Sequence, residues 1–199
     1  MNGDTIKGLV SIFLAAILTE NYILSKFLGI CPFLGVSKKL NTAASMSMAV
    51  TLVMVIATAV TWPIYYGILV PNDLAYLQTI VFILIIAALV QLIEIVLKRY
   101  MPPLYNALGI YLPLITTNCA ILGAANSAIV YQSYDFLYTF GFSVATGVGF
   151  LLAIVLLAGV RLKTDKADIP KCFKGFPITL ITAAIMAMAF AGFAGILAG

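Results

Sequence analysis

Two cysteines in related motifs are the residues of this sequence best suited to chemistry. Cys31 and Cys119 each begin a Cys-x-x-Leu-Gly motif, and the two motifs lie 88 residues apart. Thiolates are soft ligands that suit iron–sulfur clusters, zinc or Cu(I). Because a 2Fe–2S cluster takes four cysteines, two thiols would form only half of such a site. Either a second copy of the chain or a related subunit would then supply the other pair.

The other candidate groups are few. The sequence contains no histidine, which removes the commonest general base and metal ligand. The third cysteine, Cys172, follows Pro170 and Lys171 in a basic segment and has no matching motif elsewhere, so we interpret it as incidental. A single free cysteine is often just a small buried hydrophobic residue. Only the paired positions of Cys31 and Cys119 favour a ligand role over that interpretation.

The elements that position these cysteines are predicted to lie in a membrane. The chain has 199 residues, of which 63% are hydrophobic and 9% are charged, whereas soluble domains carry about 25% charged residues. A soluble protein of this size would have too little polar surface to cover so much apolar surface. The net charge of +4 arises from short basic patches between apolar runs, which indicates orientation in a membrane rather than nucleic-acid binding.

Six apolar runs are long enough to span a bilayer, since a spanning helix needs about 20 mostly apolar residues. The predicted spans are Gly8–Phe27, Ala43–Trp62, Leu74–Leu97, Leu104–Ala125, Phe136–Val160 and Phe176–Leu197. Cys31 lies between Gly29 and Pro32 at the end of the first span, and Cys119 follows Pro113 in the fourth. Such interruptions are typical of membrane binding sites and predict a broken helix near each cysteine.

The sequence therefore predicts an all-α integral membrane protein with one transmembrane domain, residues 1–199. The domain divides into two repeats of three spans each, about residues 8–97 and 104–197. Because three is an odd number, the second repeat enters the membrane from the opposite side, and a pseudo-two-fold axis in the membrane plane relates the two. Each inverted repeat begins with a broken helix. The axis would bring Cys31 and Cys119 together near the midplane.

Lysine and arginine are confined to alternate loops of the predicted topology. The first, third and fifth loops carry Lys38, Lys39, Lys98, Arg99, Arg161, Lys163, Lys166, Lys171 and Lys174. The second and fourth loops carry neither residue type, and their only charges are those of Asp73 and Asp135. The positive-inside rule then places the odd loops in the cytoplasm and both termini outside.

Glu20 is an ionisable residue within the first predicted span, six residues before Lys26. An ionisable group inside a membrane span is a candidate functional residue by default. We place Glu20 toward the outer end of the span, where a side chain that reaches the solvated membrane surface is an equally good interpretation.

Four segments of the sequence resemble the A subunits of the Rnf complexes, also called Rsx. They include Leu-Gly-Ile-Cys-Pro-Phe-Leu-Gly around Cys31 and Leu-Pro-Leu-Ile-Thr-Thr-Asn-Cys-Ala around Cys119, with residues 102–105 and 180–183. The resemblance extends over essentially the whole chain. It implies a subunit of a translocase in a prokaryotic cell membrane, which passes electrons between ferredoxin and NAD and moves Na⁺ or H⁺.

The resemblance also implies a cofactor and partners. Cys31 and Cys119 would bind a 2Fe–2S cluster inside the membrane, with the other two ligands from a homologous, oppositely oriented E-type subunit. Ferredoxin and NAD would act at other Rnf subunits. No Gly-rich phosphate-binding loop follows a strand in this sequence, so we expect no catalytic residues and no complete active site on this chain. The expected surroundings are membrane lipid and the other subunits, without nucleic acid.

Two alternatives remain open at the level of the sequence. The D and E subunits of the sodium-pumping NADH:quinone reductase are close cousins of this family, and the E-type member of that enzyme is one alternative. The runs Cys31-Pro32-Phe33 and Thr116-Thr117-Asn118 are more similar to the Rnf member. The other alternative is a secondary transporter or channel component without a redox role, because inverted repeats are common in transporters.

Overall fold

In the computed structural model the chain folds into α-helices joined by short turns. The structure describes residues 3–37, 40–100, 112–131, 136–170 and 172–197. The helices in these ranges are α1 (Gly3–Leu14), α2 (Ile30–Val36), α3 (Leu40–Ile64), α4 (Gln78–Tyr100), α5 (Leu112–Thr116), α6 (Cys119–Tyr131), α7 (Phe136–Thr164) and α8 (Phe176–Leu197). The described ranges contain no strand, which confirms the predicted all-α class.

Four helices are long and apolar enough to cross a membrane without interruption. They are Leu40–Leu69, Ala75–Tyr100, Phe136–Thr164 and Phe176–Phe193, and they correspond to the second, third, fifth and sixth predicted spans. The second span continues past its predicted end at Trp62, since the helix does not end at Pro63. A π-helical turn, Tyr65–Leu69, extends α3 beyond that proline.

The first and fourth predicted spans are interrupted. After α1 a π-helical turn ends at Thr19, and residues 20–29 form a non-helical break before α2. The predicted continuation of the first helix to Phe27 is therefore wrong. In the fourth span, Thr117 and Asn118 separate α5 from α6, while residues 104–111 of that prediction lie outside the described residues. The predicted breaks near both cysteines are confirmed.

Helices α3 and α7 form the centre of the bundle. The Ser143 hydroxyl donates a hydrogen bond to Thr58 Oγ1 at 2.7 Å, and the Thr51 hydroxyl donates to the Gly147 carbonyl at 3.1 Å. Helices in lipid lack a hydrophobic driving force for association, so interhelical hydrogen bonds and small residues hold them together. The α3–α7 pair is thus the frame against which both broken segments pack.

Candidate functional site

The first break is organised by Asn21, which is fully buried. Its side-chain amide donates to the carbonyls of Ile17 at 3.1 Å and Gly149 at 2.9 Å, and its Oδ1 accepts from the backbone N–H groups of Ile23 and Leu24 at 3.1 and 3.4 Å. Backbone groups freed by a break in a membrane helix need such partners. The sequence interpretation missed Asn21, although an amide side chain inside an apolar run was the available signal.

Glycine at position 149 permits this approach. A Cβ atom there would lie 3.1 Å from the Ala16 carbonyl oxygen and 3.3 Å from Asn21 Nδ2. Such contacts are tighter than most real Cβ contacts, so a larger residue would push the break away from α7. The small residue therefore lets the end of the first helix rest directly against α7.

This contact also fixes the level of the break along α7. Gly149 lies near the middle of α7, which runs from Phe136 to Thr164. At about 1.5 Å per residue it is roughly 20 Å from either end of that helix. Since α7 is long and apolar enough to cross the membrane, the break beside Asn21 lies close to the level of its middle.

The two breaks meet at Cys119. The backbone N–H of Gly29 donates a hydrogen bond to Cys119 Sγ at 2.9 Å. Gly29 is the N-cap of α2 and stands two residues before Cys31, which is a chain separation of roughly 7 Å at most. The two cysteine motifs are therefore brought side by side, although 88 residues separate them in the sequence.

Gly29 occupies a position that a side chain would not tolerate. Its φ is +83°, in the left-handed region. A Cβ atom would lie 2.8 Å from Cε2 of Phe150 and 3.0 Å from the Cβ of Ala120. Glycine is thus required both by the backbone conformation and by the close approach of α2 to α6 and α7.

The second break is capped by Asn118, which is 5% exposed. Its Oδ1 accepts a hydrogen bond from the Ala120 N–H at 3.0 Å, and its carbonyl accepts from the Ile121 N–H at 3.2 Å. Asn118 is therefore the N-cap that starts α6, and Cys119 is the first residue of that helix. The positive end of the α6 dipole favours negative charge at this position.

Cys31 is the exposed member of the pair. It lines an open hollow of about 780 Å³ between α2, the end of α7 and the start of α8, together with Ile30, Leu34, Gly35, Arg161, Asp165, Gly175 and Phe176. Within the described residues no cluster of three or more Cys, His, Asp or Glu side chains could hold a metal ion. Cys31 is thus on the open side of the junction between the two breaks.

Arg161 holds the far end of α2. Its Nη1 donates to the Leu34 carbonyl at 3.1 Å and to the Ser37 hydroxyl at 2.8 Å. Leu34 is one helical turn beyond Cys31, so the short helix is fixed at one end by the Gly29–Cys119 hydrogen bond and at the other by the guanidinium. The sequence interpretation counted Arg161 only as a charge that sets membrane orientation.

Two further candidates lie apart from the thiol pair. Cys172 is exposed in the turn before α8. Glu20 forms an ion pair with Lys26, whose Nζ lies 3.0 Å from Glu20 Oε2 and 5.0 Å from the centre of the Tyr22 ring. Glu20 directly precedes Asn21, whose side chain is bonded to Gly149 near the middle of α7. The placement of Glu20 toward the outer end of the span stays a prediction.

Known proteins are similar to this sequence over nearly its whole length. A family model described as "Rnf-Nqr subunit, membrane protein" matches residues 9–197. The chain is 54% identical over 191 residues to the A subunit of the Na⁺-translocating ferredoxin:NAD⁺ oxidoreductase complex of Acetobacterium woodii, covering 96% of this chain and 99% of that protein. It is 51% identical over 193 residues to the A subunit of the ion-translocating oxidoreductase complex of Syntrophotalea carbinolica, covering 97% and 100%.

A third relative extends the match to another bacterium. The A subunit of the ion-translocating oxidoreductase complex of Photorhabdus laumondii is 49% identical over 185 residues, covering 93% of this chain and 95% of that protein. The family match and the three relatives agree with the resemblance that the two cysteine motifs indicate. The chain belongs to the Rnf-Nqr family of membrane-protein subunits.

Proposed function

We propose that this chain is the A-type membrane subunit of an ion-translocating ferredoxin:NAD⁺ oxidoreductase, a redox-driven ion pump. Relatives that are named as the A subunits of such complexes match it over more than nine-tenths of their length. The single observation that carries the proposal is the hydrogen bond from the Gly29 N–H to Cys119 Sγ. It joins two helix breaks and brings the two cysteine motifs of one chain side by side.

The thiol pair fits half of a 2Fe–2S cluster. Two thiols lie at one junction, one of them exposed, and the described residues form no group of three cysteine, carboxylate or imidazole side chains there. A chain that bound zinc or a cluster alone would need about four ligands around the same point. We therefore assign Cys31 and Cys119 as two ligands of a cluster whose other two cysteines come from a partner.

Several residues of the chain would tune such a cluster. When bound, a 2Fe–2S cluster supplies one-electron transfer. The Gly29 N–H donates to a ligand sulfur, and the α6 N-terminus adds partial positive charge, so both favour the reduced, more negative state. The apolar packing of Phe150 and Ala120 around Gly29 keeps water from this side of the site.

The partner in this proposal is a homologous subunit of the E type with opposite orientation. Each helix break of the partner would then face a break of this chain at the same height. The partner's two cysteines would complete the four ligands of the cluster. The described helices fit six spans in two inverted repeats, in which α1 with α2 and α5 with α6 form the two broken spans. In this proposal ferredoxin and NAD act at other subunits. The E-type subunit of the quinone reductase is the less favoured assignment for this chain.

Expression of the chain with and without its partner tests the function. Two thiolates cannot hold a cluster that needs four, so the chain purified alone is expected to be colourless and free of iron. Identical chains insert with the same orientation and cannot form the inverted pair. The chain purified together with the E-type subunit should contain about two irons and two acid-labile sulfides per pair of subunits. This pair should show a reducible 2Fe–2S signal in electron paramagnetic resonance (EPR).

Two outcomes would contradict this assignment. A brown, iron-loaded homodimer would show that no second subunit is needed. An intact complex without iron, acid-labile sulfide or the EPR signal would favour a transporter or channel component without a redox role. Ion flux driven by electron transfer, measured in vesicles that contain the complete complex, distinguishes a coupled pump from a passive channel.

The proposed orientation has its own test. Basic residues lie in the last turns of α4 and α7, and the positive-inside rule places both helix ends in the cytoplasm. Alkaline phosphatase fused after Gly199 is expected to be active, because that enzyme folds outside the cytoplasm. A green fluorescent protein inserted beside Lys171 should fluoresce. Fluorescence of a fusion after Gly199, with inactive phosphatase there, would reverse the assignment of both termini to the outside.

A further inference from the structure

The side chain of Asn118 carries a buried hydrogen-bond donor that this chain does not use. The residue is 5% exposed, and its side-chain nitrogen Nδ2 has no hydrogen-bond partner in the part of the chain that the structure describes. Buried polar groups nearly always have a partner, and hydrocarbon offers none. A leftover donor of this kind points to an acceptor that does not belong to this chain.

Every other polar group of Asn118 already has a partner. Its backbone N–H donates to the Ile115 carbonyl at 3.3 Å, and its carbonyl accepts from the Ile121 N–H at 3.2 Å. Its Oδ1 accepts from the Ala120 N–H at 3.0 Å. That bond also fixes which end of the side chain is nitrogen, because a rotated amide would set two N–H donors against each other. The start of α6 thus holds the Nδ2 donor in one orientation.

The buried asparagine of the first break shows how an amide is used fully for structure. Asn21 Nδ2 donates to the Ile17 and Gly149 carbonyls at 3.1 and 2.9 Å, while its Oδ1 accepts from backbone N–H groups. Asn118 uses only its oxygen in this way. A serine or aspartate oxygen would cap α6 equally well, so the cap does not account for the Nδ2 donor.

The amide of Asn118 lies at the junction of the two breaks. Its Oδ1 would be 3.3 Å from a Cβ atom at Gly29, and the Gly29 N–H donates to Cys119 Sγ. Cys119 directly follows Asn118 in the chain. The amide therefore packs against the glycine that donates to the sulfur. Since the sulfurs of iron–sulfur clusters accept hydrogen bonds, a cluster sulfur is the acceptor that this junction fits.

We infer that Asn118 Nδ2 donates a hydrogen bond to a sulfur of the 2Fe–2S cluster when the cluster is bound. The inference rests on the proposed function. It adds a second N–H donor to that of Gly29, and this one belongs to a side chain that can be replaced. A hydrogen bond to a more negatively charged acceptor is stronger. The Asn118 donor therefore stabilises the reduced state and raises the potential of the cluster.

Asn118→Ser in the assembled complex removes the donor and keeps the cap. Serine is a preferred N-cap residue whose hydroxyl can accept from the Ala120 N–H, but its side chain is too short to place a donor where Nδ2 lies. The equilibrium constant for one-electron reduction is expected to fall about tenfold, which lowers the midpoint potential by about 59 mV. A redox titration of the 2Fe–2S EPR signal in membranes measures this shift.

Asn126→Ser is the matched control on the same helix. Asn126 Oδ1 accepts a hydrogen bond from Gln78 Nε2 at 2.6 Å, and the residue stands two helical turns beyond Cys119 on α6. The same change of side chain at this position should leave the midpoint potential of the cluster unchanged. The comparison separates the Asn118 donor from a general effect of losing an amide in α6.

Pulsed EPR gives a readout that a purely structural role of Asn118 would not produce. In wild-type complex whose asparagine side-chain nitrogens are labelled with ¹⁵N, a coupling between ¹⁵N and the reduced cluster is expected. Asn118→Ser should remove this coupling, whereas Asn126→Ser should retain it.

The outcomes separate this inference from the cluster assignment. Absence of the 2Fe–2S signal from the wild-type complex would overturn the proposed function. If the signal is present, an unchanged potential in Asn118→Ser or a missing ¹⁵N coupling in the wild type would overturn the inference about Asn118 alone. Should the serine variant fail to assemble, Asn118→Gly is titrated with the same expectation, because glycine is also tolerated at an N-cap. If neither variant assembles, the wild-type ¹⁵N coupling decides.

Discussion

Cys31→Ser and Cys119→Ser are each expected to abolish the 2Fe–2S signal of the assembled complex and its ferredoxin-dependent reduction of NAD. Iron–sulfur clusters use soft thiolate ligands, and a serine oxygen is a poor replacement. The loss should be all-or-none rather than graded, because a site shared between two subunits has no spare ligand. EPR of reduced membranes and an NAD reduction assay measure the two effects on each variant.

The third cysteine provides the matched control. Cys172→Ser should leave both the signal and the activity unchanged, since Cys172 lies in an exposed turn before α8. Blue-native electrophoresis of all three variants separates loss of the cluster from loss of the complex. Full activity in Cys31→Ser or Cys119→Ser would remove the basis of the site. Loss of the cluster in Cys172→Ser would mean that the wrong thiols were chosen.

The long spans were predictable because they depend only on local composition. The run from Phe176 is apolar enough to be recognised as a span from the sequence alone, and α8 begins at that residue. The first span was harder, because its residues remain mostly apolar past Thr19. The helix ends there because Asn21 finds a hydrogen-bond partner 128 residues away, at Gly149. No local pattern carries that information.

Proline and glycine indicated the breaks but not their limits. Pro32 suggested that the interruption lay at the cysteine motif itself. In the structure Pro32 lies in the first turn of α2, where a missing N–H costs nothing because helix starts leave those donors unpaired anyway. The break instead precedes Gly29, whose left-handed backbone turns the chain into the helix. Proline thus marked the start of a helix rather than its end.

The proximity of the two cysteine motifs was predictable from the repeat, whereas the residues that hold the motifs in place were not. An offset of 88 residues aligned Cys31 with Cys119 and suggested that they meet. The Gly29 hydrogen bond to Cys119 and the clamp of Arg161 on α2 both join segments that are far apart in sequence. Polar groups in a membrane must be satisfied within the protein. The structure reveals which distant segment satisfies each one.

Gly29→Ala is expected to reduce cluster occupancy at least about tenfold, and Gly29→Val to eliminate it. A left-handed conformation costs a non-glycine residue about 1–2 kcal/mol, and about 1.4 kcal/mol corresponds to a factor of ten. The added Cβ would also lie 2.8 Å from Phe150 Cε2 and 3.0 Å from the Cβ of Ala120. Relief of these contacts moves the Gly29 N–H away from Cys119 Sγ and moves Cys31 with it.

A matched glycine on α7 separates this effect from a general loss of flexibility. A Cβ at Gly159 would have no heavy atom within 4 Å, and alanine favours a helix interior over glycine, so Gly159→Ala should retain full occupancy. Iron per complex and the integrated 2Fe–2S EPR signal measure occupancy in both variants. Where some cluster remains in Gly29→Ala, its midpoint potential should fall below that of the wild type, because a weaker N–H···S bond stabilises the reduced state less. An unchanged iron content and potential in Gly29→Ala would show that the junction between the two breaks does not position the ligands.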